Sequence, residues 1–425
     1  MKIAVVGTGI AGLTAGWLLN QADQEVVLIE RMPAVGLAAH GVDFSIDGIP
    51  LVADLPLRMF NAALWPNLYR LYQALEVDME IVEPSKSYGE IGRDSEFHFG
   101  HTFFEFRSMK WLWRKKYRQI VREIYRMKAT ASSDLAAGRA EKLDFQSYLD
   151  QQGYSAAFRE LFLFPALSST VCTCSYESLR RYPAEIMLRA MLSLAMGDRL
   201  LRARHGAIDI ERRLTTALSD VRCGVGLRSV EAKQQQVQLS LDSGEQITVE
   251  HLIMATQANS ALQLMPEITH REREMLASFE YENVEVVLHR DERLMPPHRR
   301  DWSTFNLLTN RGHDASMCSV WLNRFYPAWA TLPSVFQTIM PIQAASADKV
   351  ICQRRLQRPV VNQKSLHGLK LLDDLHRESN RRVWFCGSYA SGGVPLLESG
   401  VAASFAVVQH LLRQSPNKIV LTNFT

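Results

Sequence analysis

Apolar and polar positions alternate between two rhythms along the first thirty residues. Lys2 to Val6, KIAVV, is a short β-rich apolar run. Three glycines follow, Gly7, Gly9 and Gly12, spaced G-x-G-x-x-G. The stretch LTAGWLLNQAD then suits a helix, and Glu25 to Ile29 reads as a second apolar strand that ends at Glu30. A lysine near the start and an apolar run could suggest a secretory signal, but such a signal has no strand-turn-helix-strand order and no glycine spacing of this kind. Each glycine has a physical role in a phosphate-binding turn. Gly7 permits the tight turn, Gly9 lets backbone approach a pyrophosphate, and Gly12 lets the helix pack close to the strand. The helix start then offers N–H groups and partial positive charge. Glu30 falls about 20 residues on, where a carboxylate accepts ribose hydroxyls. That carboxylate disfavours a 2′-phosphate, so FAD or NAD fits better than NADP.

Further along, the pattern changes. Residues 76–200 carry many aromatic and long side chains, as in KWLWRKKYRQIVREIYRMKA and DFQSYLDQQGYSAAFRELFLFPAL, and read as mostly helical. Strand patterns resume over 221–257. Val237–Leu241 alternates, Asp242–Gly244 is a turn, and Leu252–Ala255 is a continuous apolar run of the kind buried in a parallel sheet, followed by Thr256. A third block, VWFCGSYASGGVPLLESGVAASFAVVQHLL over 383–412, reads as strand, glycine-rich loop and long helix. The expected fold is α/β: a discontinuous Rossmann-type FAD-binding domain (1–75, 201–269 and 366–425) with an inserted α+β substrate domain (76–200 and 270–365).

At this point the motifs resemble those of the FAD-binding amine oxidase and phytoene desaturase superfamily. VVGTGIAGLTAGWLL…VVLIE is similar to its dinucleotide motif, VRCGVGLRSV to a middle strand pair, HLIMATQAN to a strand near the cofactor, and FCGSY…ESGVAAS to its C-terminal flavin motif. ENVEVVLHRDERLMPPHRRDWSTFN and WLNRFYPAW resemble a narrower bacterial amine-oxidase-like branch. The resemblance implies FAD contacts from Gly7, Gly9, Ile10, Ala11, Gly12, Glu30 and Arg31, and from Val225, Ala255 and Thr256. It also implies contacts from Gly387 and Ser388, and from the helix start at Leu397 and Glu398, whose N–H groups would stabilise negative charge on a reduced flavin. The chain departs from the family pattern in places. Gly36 is followed by Leu37 where a glycine doublet is usual, which puts backbone approach to the flavin phosphates in question. YASGGVPLLESG has no cysteine for a covalent link, so the FAD is expected to be noncovalent. The aromatic position of amine oxidases falls near Gly392–Gly393, and the branch's His-Glu pair reads Gly393-Val394. No second glycine fingerprint serves a nicotinamide.

Composition narrows the functions. The chain has 425 residues, 47% hydrophobic and 22% charged, as expected of a globular protein of two or three domains. A formal net charge of +3 gives no footprint for nucleic acid. No apolar run reaches the length of a membrane span. Six scattered cysteines, at 172, 174, 223, 318, 352 and 386, show no zinc-ligand spacing and suggest reduced thiols in the cytoplasm. No metal is expected. The stretch 102–128 interleaves aromatics with Arg107, Lys110, Arg114, Lys115, Lys116, Arg118, Arg122 and Arg126. It reads as an amphipathic helix with a solvated basic face, or as a surface that meets an anionic membrane or an acyl carrier.

The expected activity is dehydrogenation of a small hydrophobic or carrier-linked substrate, with hydride transfer to flavin N5. An amine or amino-acid oxidase that makes hydrogen peroxide, and a non-catalytic protein that kept the FAD fold, are the alternatives. His40 and Tyr389 are the candidate catalytic side chains, with His289 and Asp301 behind them. The oligomeric state has no signature in the sequence.

Overall fold

The computed structural model describes residues 1–39, 41–93, 97–99, 115–195, 199–233 and 235–413. A five-stranded parallel sheet forms the nucleotide domain, in the order Asp220–Cys223, Glu25–Glu30, Lys2–Val6, His251–Met254 and Val383–Phe385. Its strands come from three distant parts of the chain, as the three sequence blocks predict. The central strands are apolar on both faces because helices and a second sheet cover both. The helices Ile10–Gln21 and Leu397–Arg413 lie on one side, packed against each other. Gly400 makes that approach close: a Cβ there would lie 2.9 Å from Ile10 Cγ2. On the other side, the antiparallel strands Leu227–Ala232, Val237–Leu241 and Gln246–Val249 bury Val237, Leu239 and Leu241 against Val27 and Ile29.

The second domain is built on a seven-stranded sheet. Its order is Val350–Val360, Glu280–His289, Phe336–Ile339, Ser316–Trp321, Phe305–Thr309, Lys86–Glu90 and Phe97–Phe99. Helices between 115 and 195 close over one face through an aromatic core that includes Tyr88, Tyr117, Phe158 and Phe162. Two short π-helical turns, Arg159–Leu163 and Leu167–Cys172, interrupt this layer. Such turns recur at functional sites because the extra residue displaces backbone from the regular ladder.

Two expectations need correction. Residues 76–200 are not mostly helical at their start: Met79–Val82 and Lys86–Glu90 are strands. Their partners are far away in sequence, with Lys86 opposite Phe305 and Met79 opposite Ala203, so local pattern does not reveal them. The second concerns the helices His270–Ala277 and Gln363–His376. Met275, Leu276, Leu372 and Leu375 pack into the core around the nucleotide sheet. The crossings into and out of the second domain therefore lie near residues 280 and 361. The hairpin Val42–Ile46 with Ile49–Ala53 does the reverse and contributes Val42, Ile46, Leu51 and Ala53 to the second domain's core.

Candidate dinucleotide site and the chamber beside it

Gly7 ends the first strand at φ +99°, a conformation that favours glycine, and donates its N–H to Ile29 O at 2.9 Å. A Cβ on Gly7 would lie 3.0 Å from Ala255 O, and one on Gly12 would lie 1.9 Å from Gly7 O. These two glycines therefore serve close backbone packing. Gly9 differs, since a Cβ there would meet nothing within 4 Å. It caps the helix Ile10–Gln21 without a side-chain hydrogen bond, so no side chain of the cap competes for the first-turn N–H groups. That open space belongs to a cavity of about 1520 Å³.

Glu30 organises the turn from the neighbouring strand. It is 8% exposed and lines the cavity. Its Oε2 accepts the Thr8 N–H at 3.0 Å and the Thr8 hydroxyl at 2.7 Å, and its Oε1 accepts the Met32 N–H at 2.9 Å. Thr8 Oγ1 in turn accepts the Gly36 N–H at 2.6 Å. One carboxylate thus ties together the glycine turn and the loop after its own strand, while its position on the cavity wall leaves it open to ribose hydroxyls. Sequence reasoning passed over Thr8 because its role depends on a pair of contacts 22 and 28 residues away. The Glu30 carbonyl also receives the Val225 N–H at 3.0 Å, which sets Val225 beside it on the wall.

The cavity lining brings together Gly7, Gly9, Ile10, Glu30, Arg31, Val225, Ala255, Thr256, Ser388, Leu397 and Glu398. Ala11 and Gly12 lie behind that lining. Gly387, at φ +154°, also lies behind it, and its missing side chain makes room for the Tyr389 ring, 2.9 Å from where a Cβ would sit. Gly392 and Gly393 face open space on the wall, with Gly393 at φ +94°. Leu37 turns away: its side chain is buried in the nucleotide-domain core, so the missing second glycine puts no bulk into the cavity. The Glu398 carboxylate is occupied elsewhere, accepting from the Leu68 N–H at 2.8 Å and Asn67 Nδ2 at 2.6 Å at the start of the helix Pro66–Ala74. Open backbone at Gly9, Gly392 and Gly393 together with a carboxylate at Glu30 is a donor and acceptor set that fits a dinucleotide.

The candidate catalytic side chains do not meet there. Tyr389 is packed against Phe279, with ring centroids 4.8 Å apart, and its hydroxyl has no partner among the described residues and lies outside the cavity lining. Burial pushes its pKa up. It is a core residue, and the catalytic expectation for it is withdrawn. His289 is also buried outside the lining, with Nε2 at 2.7 Å from Thr338 Oγ1 and Nδ1 accepting the Asp291 N–H. Burial lowers its pKa to about 4, so it stays neutral. Asp301 is likewise away from the cavity. His40 lies outside the described residues.

From the nucleotide end the cavity continues over the second domain's sheet, where Val284, Val286, Phe305, Val320, Ile339 and Leu356 make an apolar floor. Lys86, Cys318 and Arg358 also line this part, as do Ser169, Thr170 and Thr173 of the second π-helical turn and its end. Burial lowers the Lys86 pKa to about 8. Glu185 is the carboxylate on this side, and it pairs with Arg189 at 2.7 Å. The volume exceeds the roughly 300–1,000 Å³ common for single-ligand pockets. It leaves room for a second molecule beside a dinucleotide.

A Rossmann-type nucleotide domain with an inserted sheet domain, sharing one cavity, defines the class by fold. Comparison with known proteins agrees. Residues 5–75 match the NAD(P)-binding Rossmann-like domain. Among solved structures, wild-type putrescine oxidase bound to putrescine superposes with a TM-score of 0.69 at 14% identity, covering 97% of this chain and 99% of that one. A CLA-producing fatty acid isomerase from P. acnes gives 0.66 at 15% identity, over 96% and 97%. Cyclohexylamine oxidase from Brevibacterium oxydans gives 0.65 at 13% identity, over 96% and 99%. The chain has the fold of these proteins over nearly its whole length.

Proposed function

We propose that the protein is an FAD-dependent oxidoreductase that dehydrogenates an apolar substrate held over the sheet of the second domain. The observation that carries this reading is the single cavity, which joins the glycine turn and Glu30 to an apolar floor. Bound FAD would supply the hydride acceptor. The chain's own part is to hold and orient it. Gly9 and Ile10 face its phosphates and Glu30 its ribose. The start of the 17-residue helix at Leu397 offers partial positive charge where reduction adds negative charge. The apolar floor excludes water from the substrate.

The lining charges oppose the amine oxidase reading. Arg58, Lys86, Arg355 and Arg358 line the cavity, and Glu185 already has its arginine. A protonated amine would meet like charge there. Hydrogen peroxide from an amine panel would restore that reading.

The purified protein should be yellow, and heat or acid should release the colour as free FAD. The C-terminal motif has no cysteine at a place that could hold a covalent link; Cys386 is fully buried ahead of the loop. Colour that stays with the precipitate would refute noncovalent binding. A colourless protein that takes up no FAD would point to the non-catalytic alternative.

We also place the protein in the cytoplasm, supported by its six free cysteines. No helix among the described residues is long and apolar enough to cross a membrane. The first part of the basic-aromatic stretch, with Arg107, Lys110, Trp111, Trp113 and Arg114, lies outside the described residues. Its continuation, the helix Lys115–Ala136, buries Tyr117, Ile120, Ile124 and Met127 and exposes Lys115, Lys116, Arg118 and Arg122. We propose that this basic face rests on anionic lipid. Each cation near such a surface contributes about 1 kcal/mol. The R114E/K115E/K116E variant should therefore lose salt-sensitive liposome binding while keeping its FAD. Wild-type protein that ignores anionic liposomes at low salt would leave only a solvated helix face.

A further inference from the structure

Arg358 stands apart from the other charged groups on the cavity wall. It sits on the edge strand Val350–Val360, directly across from Glu282 in the sheet register. Its side chain shares a sheet face with Leu356, and both line the cavity. Arg189 has Glu185, Arg58 donates to Leu37 O, and Arg31 and Arg355 are exposed. Among the described residues the Arg358 guanidinium has no hydrogen bond and no ion pair, and its Nε is shielded from water with no partner. Glu282 attracts it from beyond ion-pair distance, but the Glu282 oxygens are taken by the Ser175 N–H at 2.8 Å, the Ser175 hydroxyl at 3.0 Å and the Ser178 hydroxyl at 2.7 Å. Desolvation pulls the Arg358 pKa down from its ordinary value. Arg358 is only partly buried, but an unpaired guanidinium nitrogen cut off from water is costly, and such a group on a cavity wall marks a place where a ligand completes the set.

The surroundings say what the ligand carries besides charge. Val284 lies opposite Leu356, Val286 opposite Ile339, and Phe305 opposite Val320, so their side chains share one sheet face. This floor runs across five neighbouring strands from the edge that holds Arg358. At roughly 4.8 Å per strand that is about 19 Å of apolar surface. A planar guanidinium fork at one end matches a carboxylate or phosphate oxygen pair.

We propose that the substrate of this site is an acyl chain with an anionic oxygen head group, bound with its head at Arg358 and its chain along the floor. The proposal rests on the oxidoreductase reading for the word substrate; the binding itself does not depend on it.

The test is binding to the protein as purified, read by calorimetry and by tryptophan fluorescence, at ligand concentrations below micelle formation. Oleate, oleoyl lysophosphatidate, oleyl alcohol and oleylamine are compared. At least one of the two acids should bind tenfold or more tighter than the alcohol, and the amine should bind no better than the alcohol. Whichever acid is favoured identifies the head as carboxylate or phosphate. Arg358→Met should erase the preference for acid while FAD content and melting temperature stay unchanged, and Arg358→Lys should keep part of it. Equal affinity for alcohol and acids in the wild type overturns the proposal, and so does a folded Arg358→Met protein that keeps the preference. The wild-type comparison decides the matter even if the methionine variant fails to fold. FAD content of the same samples separates the two ideas. Colourless protein that prefers acids keeps the subsite and defeats the oxidoreductase reading, and yellow protein with no preference does the opposite.

Discussion

Gly9→Ala is expected to strip most of the FAD from the protein while moving its melting temperature by no more than a few degrees; Gly12→Ala is expected to destroy both. The two glycines belong to one fingerprint, but their surroundings differ. Around Gly9 an added Cβ meets nothing within 4 Å, and the backbone, at φ −66° and ψ −179°, suits alanine. The remaining cost is that of a poorer helix cap, on the order of 1 kcal/mol or less. The space that Cβ would fill is cavity, where phosphate oxygens must approach the backbone. At Gly12 the Cβ would lie 1.9 Å from Gly7 O, which is backbone and cannot swing aside. The helix would have to leave the strand, and overpacking of this kind costs about 3 kcal/mol or more. Calorimetric melting and the ratio of flavin to protein absorbance read the two effects separately. If Gly9→Ala lowers the melting temperature as far as Gly12→Ala, then Gly9 serves packing and the phosphate site lies elsewhere.

The same contrast explains what the sequence made legible. The glycine spacing and the apolar runs at Lys2–Val6, Glu25–Glu30 and Leu252–Met254 are local consequences of a buried parallel sheet, so they can be read without coordinates. The helix start at Leu397 is local too, because a glycine-rich loop precedes a long apolar-faced run. The strand Lys86–Glu90 is different. KSYGE has neither alternation nor a continuous apolar run, and it is a strand because Phe305–Thr309 pairs with it more than 200 residues later. Tyr389 seemed a catalytic candidate because it sits in a flavin-like motif. Whether a side chain in such a motif points inward or outward depends on its loop, and Gly387 turns this one into the core. Arg358 drew no attention in RRLQRPV, where it is one of three arginines. The face shared with Leu356 separates it from Arg355, and the register against Glu282 and a place on the cavity wall separate it from Arg354.

Glu30→Ala should lower FAD affinity by about tenfold to a hundredfold through the ribose alone, since a charged hydrogen bond contributes roughly 1.5–3 kcal/mol. The structure adds to this. Alanine leaves the Thr8 and Met32 N–H groups without their acceptor, and Thr8 loses the contact that holds its hydroxyl toward the Gly36 N–H. The unmatched buried Thr8 donor costs on the order of 1–3 kcal/mol, and the more exposed Met32 donor less. The variant should therefore also melt at a lower temperature, and added FAD should recover little of the loss because its binding surface has loosened. Glu30→Gln keeps an acceptor oxygen for one of the two sides and should fall between wild type and alanine in both measurements. Titration of apoprotein with FAD, followed by flavin fluorescence, gives the affinity, and melting with and without FAD gives the rest. A lower melting temperature with unchanged FAD affinity would mean that Glu30 only ties the loops together and that the ribose is held by another residue of the wall.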